Sequence, residues 1–221
     1  MVAVGFSSRL DDMFLALEYM PGGSLHDALH HDGDASWLRW DAGGKRVLEH
    51  VADTLYYLHT RRPPLIHLDV KSANVLLSAV GDPNVTAKLS DLGSIKAQMQ
   101  TFVSVPREGF TMPYAAPEVL EVLFGIRQAT KLDVKADVYA WGRLMWEVMR
   151  GKCPGMGYLE PPAGAPANAV RLYERCVREK PKGRPTSAEL VTLLELKGDG
   201  SARSEAAVLR AWRAECPELE L

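Results

Sequence analysis

The length, composition and charge of the chain narrow its possible functions. The sequence has 221 residues, of which 47% are hydrophobic, and this is enough to build the core of one ordinary domain. Its formal net charge of −2 provides no basic surface for nucleic acid or for an anionic membrane, so neither partner is expected. No apolar run approaches the roughly 20 residues of a membrane span, and residues 1–6 show no secretion signal.

The three cysteines, Cys153, Cys176 and Cys216, stand singly along the chain. They show neither the paired spacing of a zinc site nor the even count of a disulfide framework. The pattern favours reduced thiols, and we expect a cytoplasmic protein that is monomeric.

The first elements follow from short apolar runs and the residues that break them. Residues 13–20 form such a run and Pro21–Gly23 interrupts it, which predicts a buried strand that leads into a connector. Ser24 is placed to cap a helix that continues to His30. From Lys45 to His59 apolar residues recur at helical spacing, which predicts a long helix with one buried stripe. The members of that stripe are Val47, Leu48, Val51, Ala52, Leu55 and Leu58.

The middle of the chain alternates between short strands and loops. Three brief apolar runs, at residues 65–67, 74–77 and 86–89, predict small strands. Residues 94–116 lack periodicity and are rich in Gln, Thr, Ser, Pro and Gly, which predicts a long loop of the kind that is usually functional.

The last part of the chain is predicted to be mainly helical. Apolar residues between 138 and 148 mark an amphipathic helix that crosses the core and ends at Gly151. Two more helices follow, and the second begins with a capping box formed by Thr186 and Glu189. Residues 198–221 are charged and read as a tail.

Three motifs occur in order: His67–Asn74 (HLDVKSAN), Ser90–Gly93 (SDLG) and Ala116–Glu118 (APE). Together they resemble the catalytic loop, the metal-binding motif and the Ala-Pro-Glu motif of eukaryotic protein kinases. An isolated Asp-Leu-Gly is usually a turn, but the ordered set is specific. The resemblance implies an α+β, protein-kinase-like fold that consists mainly of the helical C-terminal lobe, with a remnant of the N-terminal lobe sheet.

The resemblance covers about residues 1–197 and implies a division of the chain. Residues 1–20 would be a remnant of the kinase small lobe that ends in the hinge strand. Residues 21–197 would form the large lobe, and residues 198–221 a charged tail with helical potential. The sequence contains no Gly-rich phosphate loop, no strand lysine and no helix glutamate to position that lysine. We therefore expect a kinase domain truncated at its N-terminus.

The kinase resemblance implies ATP and Mg²⁺ as cofactors. Phosphoryl transfer depends on an oriented hydroxyl group and on neutralised phosphate charge. By the resemblance, Asp69 would orient the substrate hydroxyl, Lys71 would lie against the transferred phosphate, and Thr111 would contact both. Asn74 and Asp91 would bind Mg²⁺ through oxygen, the ligand type that this ion prefers.

The resemblance also assigns an adenine pocket. Leu17 would guard it, backbone groups of Glu18 and Met20 would hydrogen-bond the adenine edge, and Leu76 would form the floor. A simpler interpretation of the same segment, a buried strand followed by a turn, stays open.

Two further matches are architectural and one departure concerns regulation. Asp137 matches the aspartate that braces the catalytic-loop backbone, and Arg184 matches the arginine that forms a buried ion pair with Glu118. Leu68 replaces the arginine that normally precedes the catalytic aspartate, so a principal ligand for a phosphorylated activation loop is missing.

Lys71, two residues after Asp69, resembles the lysine of serine/threonine and tyrosine-kinase-like families. The resemblance implies that the chain transfers the ATP γ-phosphate to serine or threonine of protein substrates. Without the phosphate-positioning pieces, this chain by itself is expected to be weak or inactive. The alternative is a pseudokinase or regulatory scaffold that binds protein partners, although the retained catalytic and metal-binding residues argue against it. A small-molecule phosphotransferase is disfavoured by Ala116–Glu118 and Arg184.

Overall fold

The computed structural model describes residues 2–6, 13–31, 33–98, 111–126 and 132–195. Over these ranges the α-helices are α1 (Leu25–His30), α2 (Lys45–His59), α3 (Pro117–Leu123), α4 (Lys135–Arg150), α5 (Ala167–Cys176) and α6 (Ser187–Glu195). The β-strands are β1 (Val2–Phe6), β2 (Met13–Leu17), β3 (Leu65–Ile66), β4 (Val75–Leu77), β5 (Ala87–Leu89) and β6 (Lys96–Ala97). Helices dominate, and the predicted α+β class is confirmed. None of these helices combines the length and the apolar character needed to cross a bilayer.

Within the described residues, the strands pair as three two-stranded antiparallel sheets: β1 with β2, β3 with β6, and β4 with β5. The prediction of one aperiodic loop over residues 94–116 is wrong at both ends. Lys96–Ala97 hydrogen-bonds to Leu65–Ile66 as β6, and Met112–Tyr114 forms a single helical turn. Both features depend on partners distant in sequence, which local periodicity does not report. Residues 99–110 and the predicted tail lie outside the described residues.

Helix α4 forms the centre of the core. Every residue from Ala136 to Val148 is buried, so the helix is enclosed on all sides and not only along the predicted stripe. The indole nitrogen of Trp141 donates to the Leu48 carbonyl oxygen at 3.1 Å, which joins α4 to α2. The helix ends where predicted, because Gly151 adopts the left-handed conformation (φ 63°) that a C-terminal cap requires.

The other predicted helix signals are confirmed. The apolar stripe of α2 is buried from Val47 to Leu58. The hydroxyl of Ser24 accepts a hydrogen bond from the Asp27 amide at 3.1 Å and so caps α1. At the start of α6, the Glu189 amide donates to Thr186 Oγ1, while Glu189 Oε2 accepts from the Thr186 amide at 2.7 Å.

The predicted buried ion pair is present and holds the helical elements together. Arg184 donates to both carboxylate oxygens of Glu118, at 2.6 and 2.8 Å. Its remaining donors contact the carbonyl oxygens of Arg178, Lys135 and Glu179. The guanidinium is fully buried, so this set of acceptors compensates for the loss of its hydration.

Candidate active site

The loop of residues 67–74 lies between β3 and β4 and is fixed from below by Asp137. The amides of His67 and Leu68 donate to the two Asp137 carboxylate oxygens, each at 2.8 Å. His59 Nε2 lies 2.9 Å from Asp137 Oδ2. Asp137 is fully buried, so its oxygens depend on these donors, and the predicted brace of the loop backbone is confirmed.

Leu68 holds an uncommon backbone conformation inside this brace. Its φ of 66° is left-handed, a region that costs a residue with a Cβ roughly 1–2 kcal/mol. Two interactions retain this conformation. The Leu68 N–H donates a hydrogen bond to Asp137, and the Leu68 side chain packs in a buried cluster with Val119, Leu132 and Tyr139. The side chain that replaces the expected arginine therefore serves the core.

His67 links the loop to the segment that carries Asp91. Its ring is buried, and Nε2 donates to the Ser90 carbonyl oxygen at 3.0 Å. The Ser90 amide and hydroxyl in turn donate to the Asn74 carbonyl oxygen, at 2.7 and 2.9 Å. These bonds place the residue before Asp91 directly against Asn74, so both predicted metal ligands belong to one locality. The prediction that His67 is a structural residue beneath the loop is confirmed.

The predicted catalytic side chains meet at the Asp69 carboxylate. Lys71 Nζ lies 2.7 Å from Asp69 Oδ2, and the Asn74 side-chain amide donates to the same oxygen at 2.7 Å. Lys71 Nζ also donates to Thr111 Oγ1 at 2.9 Å. Asp69 is buried and Lys71 is half-buried, so a cation and an amide hold the carboxylate in one orientation at the edge of the solvent.

Asp91 is an exposed residue at a strained position. Its φ of 61° places it, like Leu68, in the left-handed region. Aspartate tolerates this conformation better than most residues, because its short polar side chain can bond locally. Backbone strain of this kind concentrates at functional sites. Here it occurs in the two predicted motifs that the hydrogen bond between His67 and Ser90 connects.

The predicted adenine-pocket residues lie on connected segments. The Gly22 amide donates to the Leu77 carbonyl oxygen and the Leu77 amide to the Gly23 carbonyl oxygen, which ties the connector to β4, where Leu76 lies. Met20 is buried, whereas Leu17 and Glu18 are exposed.

Glu18 is held by an ion pair beside this connector. Its Oε2 lies 2.6 Å from Nζ of Lys88, the residue opposite Leu76 in the β4–β5 sheet. This partner is the main reason that the pKa of Glu18 is lowered to about 2. The side chain of Glu18 thus contacts the β4–β5 sheet through this exposed ion pair.

The sequence analysis missed a second buried carboxylate beneath the loop. Glu147 of α4 accepts from the Ser72 hydroxyl at 2.8 Å and from the Tyr114 hydroxyl at 2.7 Å. His30 Nε2 lies 2.9 Å from the same carboxylate. Burial, followed by the charge of Glu147, raises the pKa of Tyr114. The spacing of His26 and His30, four residues apart on one helix, was a signal that could have identified this cluster.

Comparison with known proteins decides the family. A family model described as protein kinase domain matches residues 3–193. This chain belongs to the protein kinase domain family. Helices, ordered motifs and the Asp137 brace all agree with that membership.

Similar curated proteins come from Arabidopsis thaliana. MDIS1-interacting receptor like kinase 2 is 37% identical over 154 residues, which cover 68% of this chain and 13% of the relative. A probable leucine-rich repeat receptor-like protein kinase is 33% identical over 196 residues, 86% of this chain and 16% of the relative. Serine/threonine-protein kinase CTR1 is 28% identical over 207 residues, 86% of this chain and 24% of the relative. The chain thus spans less than a quarter of the length of each.

The donor groups of this kinase domain fit the cofactors that its family generally uses, ATP and Mg²⁺. The Asn74 side-chain nitrogen donates to two oxygens of Asp69, so the side-chain oxygen is the Asn74 atom that would hold a metal ion. The Asp91 carboxylate is exposed and supplies the second oxygen donor. Hard oxygen donors of this kind suit Mg²⁺.

Proposed function

We propose that this kinase domain transfers the ATP γ-phosphate to serine or threonine of protein substrates. The observation that carries the proposal is the Asp69 carboxylate, fixed by Lys71 and Asn74 and linked through Lys71 to Thr111. The serine/threonine preference is supported by Lys71 and by the similarity of the chain to serine/threonine-protein kinase CTR1.

Each residue has a defined part in that reaction. Asp69 would accept a hydrogen bond from the substrate hydroxyl and so orient the hydroxyl oxygen toward the phosphorus. As the new O–P bond forms and the bond to the ADP oxygen breaks, the hydroxyl proton passes to Asp69 or to solvent. Lys71 would offset negative charge on the transferred group. Asn74 and Asp91 would hold Mg²⁺, which neutralises phosphate charge when bound.

The adenine pocket is part of the same proposal. Leu17, the backbone of Glu18 and Met20, and Leu76 would enclose the base, because the connector and β4 are hydrogen-bonded to each other. We also propose that residues 1–20 are a remnant of the small lobe that ends in the hinge strand, that residues 21–197 form the large lobe, and that residues 198–221 form a charged tail. A monomeric, cytoplasmic protein is also part of the proposal, and the free thiols of Cys153 and Cys176 support the reducing compartment.

A phosphotransfer assay tests the proposal. With Mg²⁺, labelled ATP and a serine/threonine peptide library, Asp69→Asn is expected to lower turnover by about 100-fold or more, since it removes the proton acceptor. Asp82→Asn is the matched control, because Asp82 is an exposed turn residue that accepts from the Asn84 amide. Turnover that is clearly above the no-enzyme background and equal in both variants and the parent chain would refute the role of Asp69.

A second candidate, a scaffold that binds protein partners without catalysis, is favoured by one observation. The 221 residues contain no Gly-rich loop and no strand lysine, so we propose that the chain assayed by itself turns over slowly. Thermal unfolding with and without Mg²⁺–ATP separates the two candidates, because a ligand that binds the folded state raises the melting temperature. A shift lost in Asp91→Asn supports the kinase; no shift at any nucleotide concentration supports the scaffold.

A further inference from the structure

Four side chains with metal-binding chemistry converge outside the proposed catalytic residues. His26 and His30 lie on α1, Glu147 lies on α4, and Cys153 lies just beyond the end of α4. Their donor atoms all lie within 4.8 Å of one another. Two imidazoles, a thiol and a carboxylate form a mixed donor set that differs from the all-oxygen set suited to Mg²⁺.

The two histidines are preorganised by the helix that carries them. They are separated by four residues, so their side chains lie on the same face, one turn apart. Their ring centroids are 4.8 Å apart. Paired histidines at this spacing on one helix are a recurrent zinc-binding arrangement in proteins.

Glu147 gives independent support, because it is a buried carboxylate that pairs with no lysine or arginine among the residues that the structure describes. Its side chain is fully buried, and the ion-pair partners that the described residues offer it are the imidazoles of His26 and His30, at 3.9 and 2.9 Å. Arg143, one turn earlier on α4, directs its guanidinium to the carbonyl oxygens of Pro113, Gly155 and Gly157 instead. A buried carboxylate that lacks a counter-charge is costly, and a divalent ion would supply that charge.

We propose that His26, His30, Glu147 and Cys153 bind one zinc-class transition metal ion in tetrahedral coordination. One thiolate, one carboxylate and two neutral imidazoles together balance the charge of a divalent ion. Bonds of about 2.0–2.3 Å place tetrahedral ligand atoms roughly 3–4 Å apart, so the observed cluster needs only small side-chain rotations.

The surroundings of the cluster suit a metal site. Cys153 is exposed and His26 is one-third exposed, which leaves a path for the ion, whereas Glu147 anchors the inner side. The hydroxyls of Tyr114 and Ser72 bond to the Glu147 carboxylate and fix its orientation, as outer partners of metal ligands commonly do. The ion would join α1 to α4 directly beneath Ser72 of the catalytic loop.

Metal titration of the chelator-treated protein tests the proposal. We expect one Zn²⁺ per chain, and Co²⁺ in its place should give a tetrahedral visible spectrum with a thiolate-to-cobalt charge-transfer band. Cys153→Ser should remove that band and weaken Zn²⁺ binding by at least about tenfold, as should His30→Ala. At the same Zn²⁺ concentration, the melting temperature of the parent chain should rise by more than that of Cys153→Ser.

Two matched controls keep the test specific. His31→Ala removes an exposed neighbouring imidazole, and Cys216→Ser removes another thiol; both should leave the affinity and the cobalt spectrum unchanged. If His30→Ala fails to fold, the spectrum of Cys153→Ser decides, because Cys153 is exposed. The proposal is overturned by absence of stoichiometric binding at micromolar Zn²⁺. It is equally overturned by a thiolate band that survives Cys153→Ser, or by a loss of affinity in His31→Ala equal to that in His30→Ala.

Discussion

Two carboxylates on α4 are both fully buried, yet they are satisfied in different ways. Asp137, near the start of the helix, accepts from the backbone amides of His67 and Leu68 and contacts His59. Glu147, near its end, has side-chain partners among the described residues: two hydroxyls and the imidazoles of α1.

The difference lies in whether the partners can change their roles. A backbone N–H is always a donor, so the two backbone amides beside Asp137 can bond only to a hydrogen-bond acceptor. A hydroxyl group or an imidazole can donate or accept, so the partners of Glu147 can rearrange around another group. The site around Asp137 is suited to fixing a strained loop. At Glu147, a hydrogen bond to a histidine can be replaced by a bond to a metal ion.

The largest expected effect is that of Asp137→Asn. The substitution preserves shape but turns an N–H donor toward a backbone N–H, and it leaves a buried amide unsatisfied. Because each such group costs about 1–3 kcal/mol and a charge-assisted bond is lost as well, we expect the free energy of unfolding to fall by about 4 kcal/mol. Urea denaturation followed by tryptophan fluorescence measures it.

Asp133→Asn is the matched control for that experiment. Asp133 is exposed at the start of the same helix, where its carboxylate accepts from the Lys135 amide at 3.0 Å. Asparagine keeps an oxygen acceptor for the Lys135 amide, so a change below about 0.5 kcal/mol is expected. A loss of similar size in both variants would show that burial of the brace is unimportant.

Glu118→Gln extends the comparison to a carboxylate that is 12% exposed and pairs with a buried permanent cation, Arg184. Gln retains one acceptor for Arg184, and the carbonyl partners of the guanidinium remain, so the cost should be about 3 kcal/mol, at the lower end for a broken buried pair. Chemical denaturation again measures it. Glu174→Gln, on the exposed face of α5, should be nearly neutral; if Glu118→Gln is also neutral, the ion pair contributes no stability.

Glu147→Gln should cost less than either substitution, about 1–2 kcal/mol in chelator-treated protein. The introduced amide can donate to a hydroxyl or imidazole that reverses its role, so fewer groups remain unsatisfied. Denaturation in the presence of a chelator isolates this effect from metal binding. A loss as large as that of Asp137→Asn would contradict the distinction between fixed and reversible partners.

The sequence predicts those features whose signals are local or have a fixed order along the chain. Apolar periodicity located α2 and α4, and ordered motifs brought Asp69, Asn74 and Asp137 into one site, because these signals are local or have a fixed order along the chain. The left-handed backbone of Leu68 was not predictable, since leucine disfavours it and only the distant Asp137 and apolar packing retain it.

The metal-type cluster escaped prediction for a different reason. Cys153 was judged by its spacing to other cysteines, whereas its neighbours in space are histidines more than a hundred residues earlier in the chain. The burial of Glu147 could not be predicted from the sequence either, because a glutamate on a predicted amphipathic helix is normally assigned to the solvent face.

The smallest expected effect concerns Glu189, a carboxylate that is half exposed and accepts from the Thr186 amide. That hydrogen bond is the main cause that lowers the pKa of Glu189 below its ordinary value of 4.5. A carboxyl group whose pKa is lower in the folded state stabilises the fold above the ordinary pKa, and the stabilisation is lost as the pH falls through the folded-state pKa. Glu189→Ala should therefore cost about 0.5–1 kcal/mol at neutral pH, and the cost should shrink as the pH is lowered below 4.5.

Glu189→Gln keeps an acceptor for the Thr186 amide without a titrating charge, so its stability relative to Glu189→Ala should not change with pH. Parallel denaturation series of the three proteins from pH 7 to pH 3 measure this, and a cost of Glu189→Ala that stays constant across the series would show that charge plays no part in the cap.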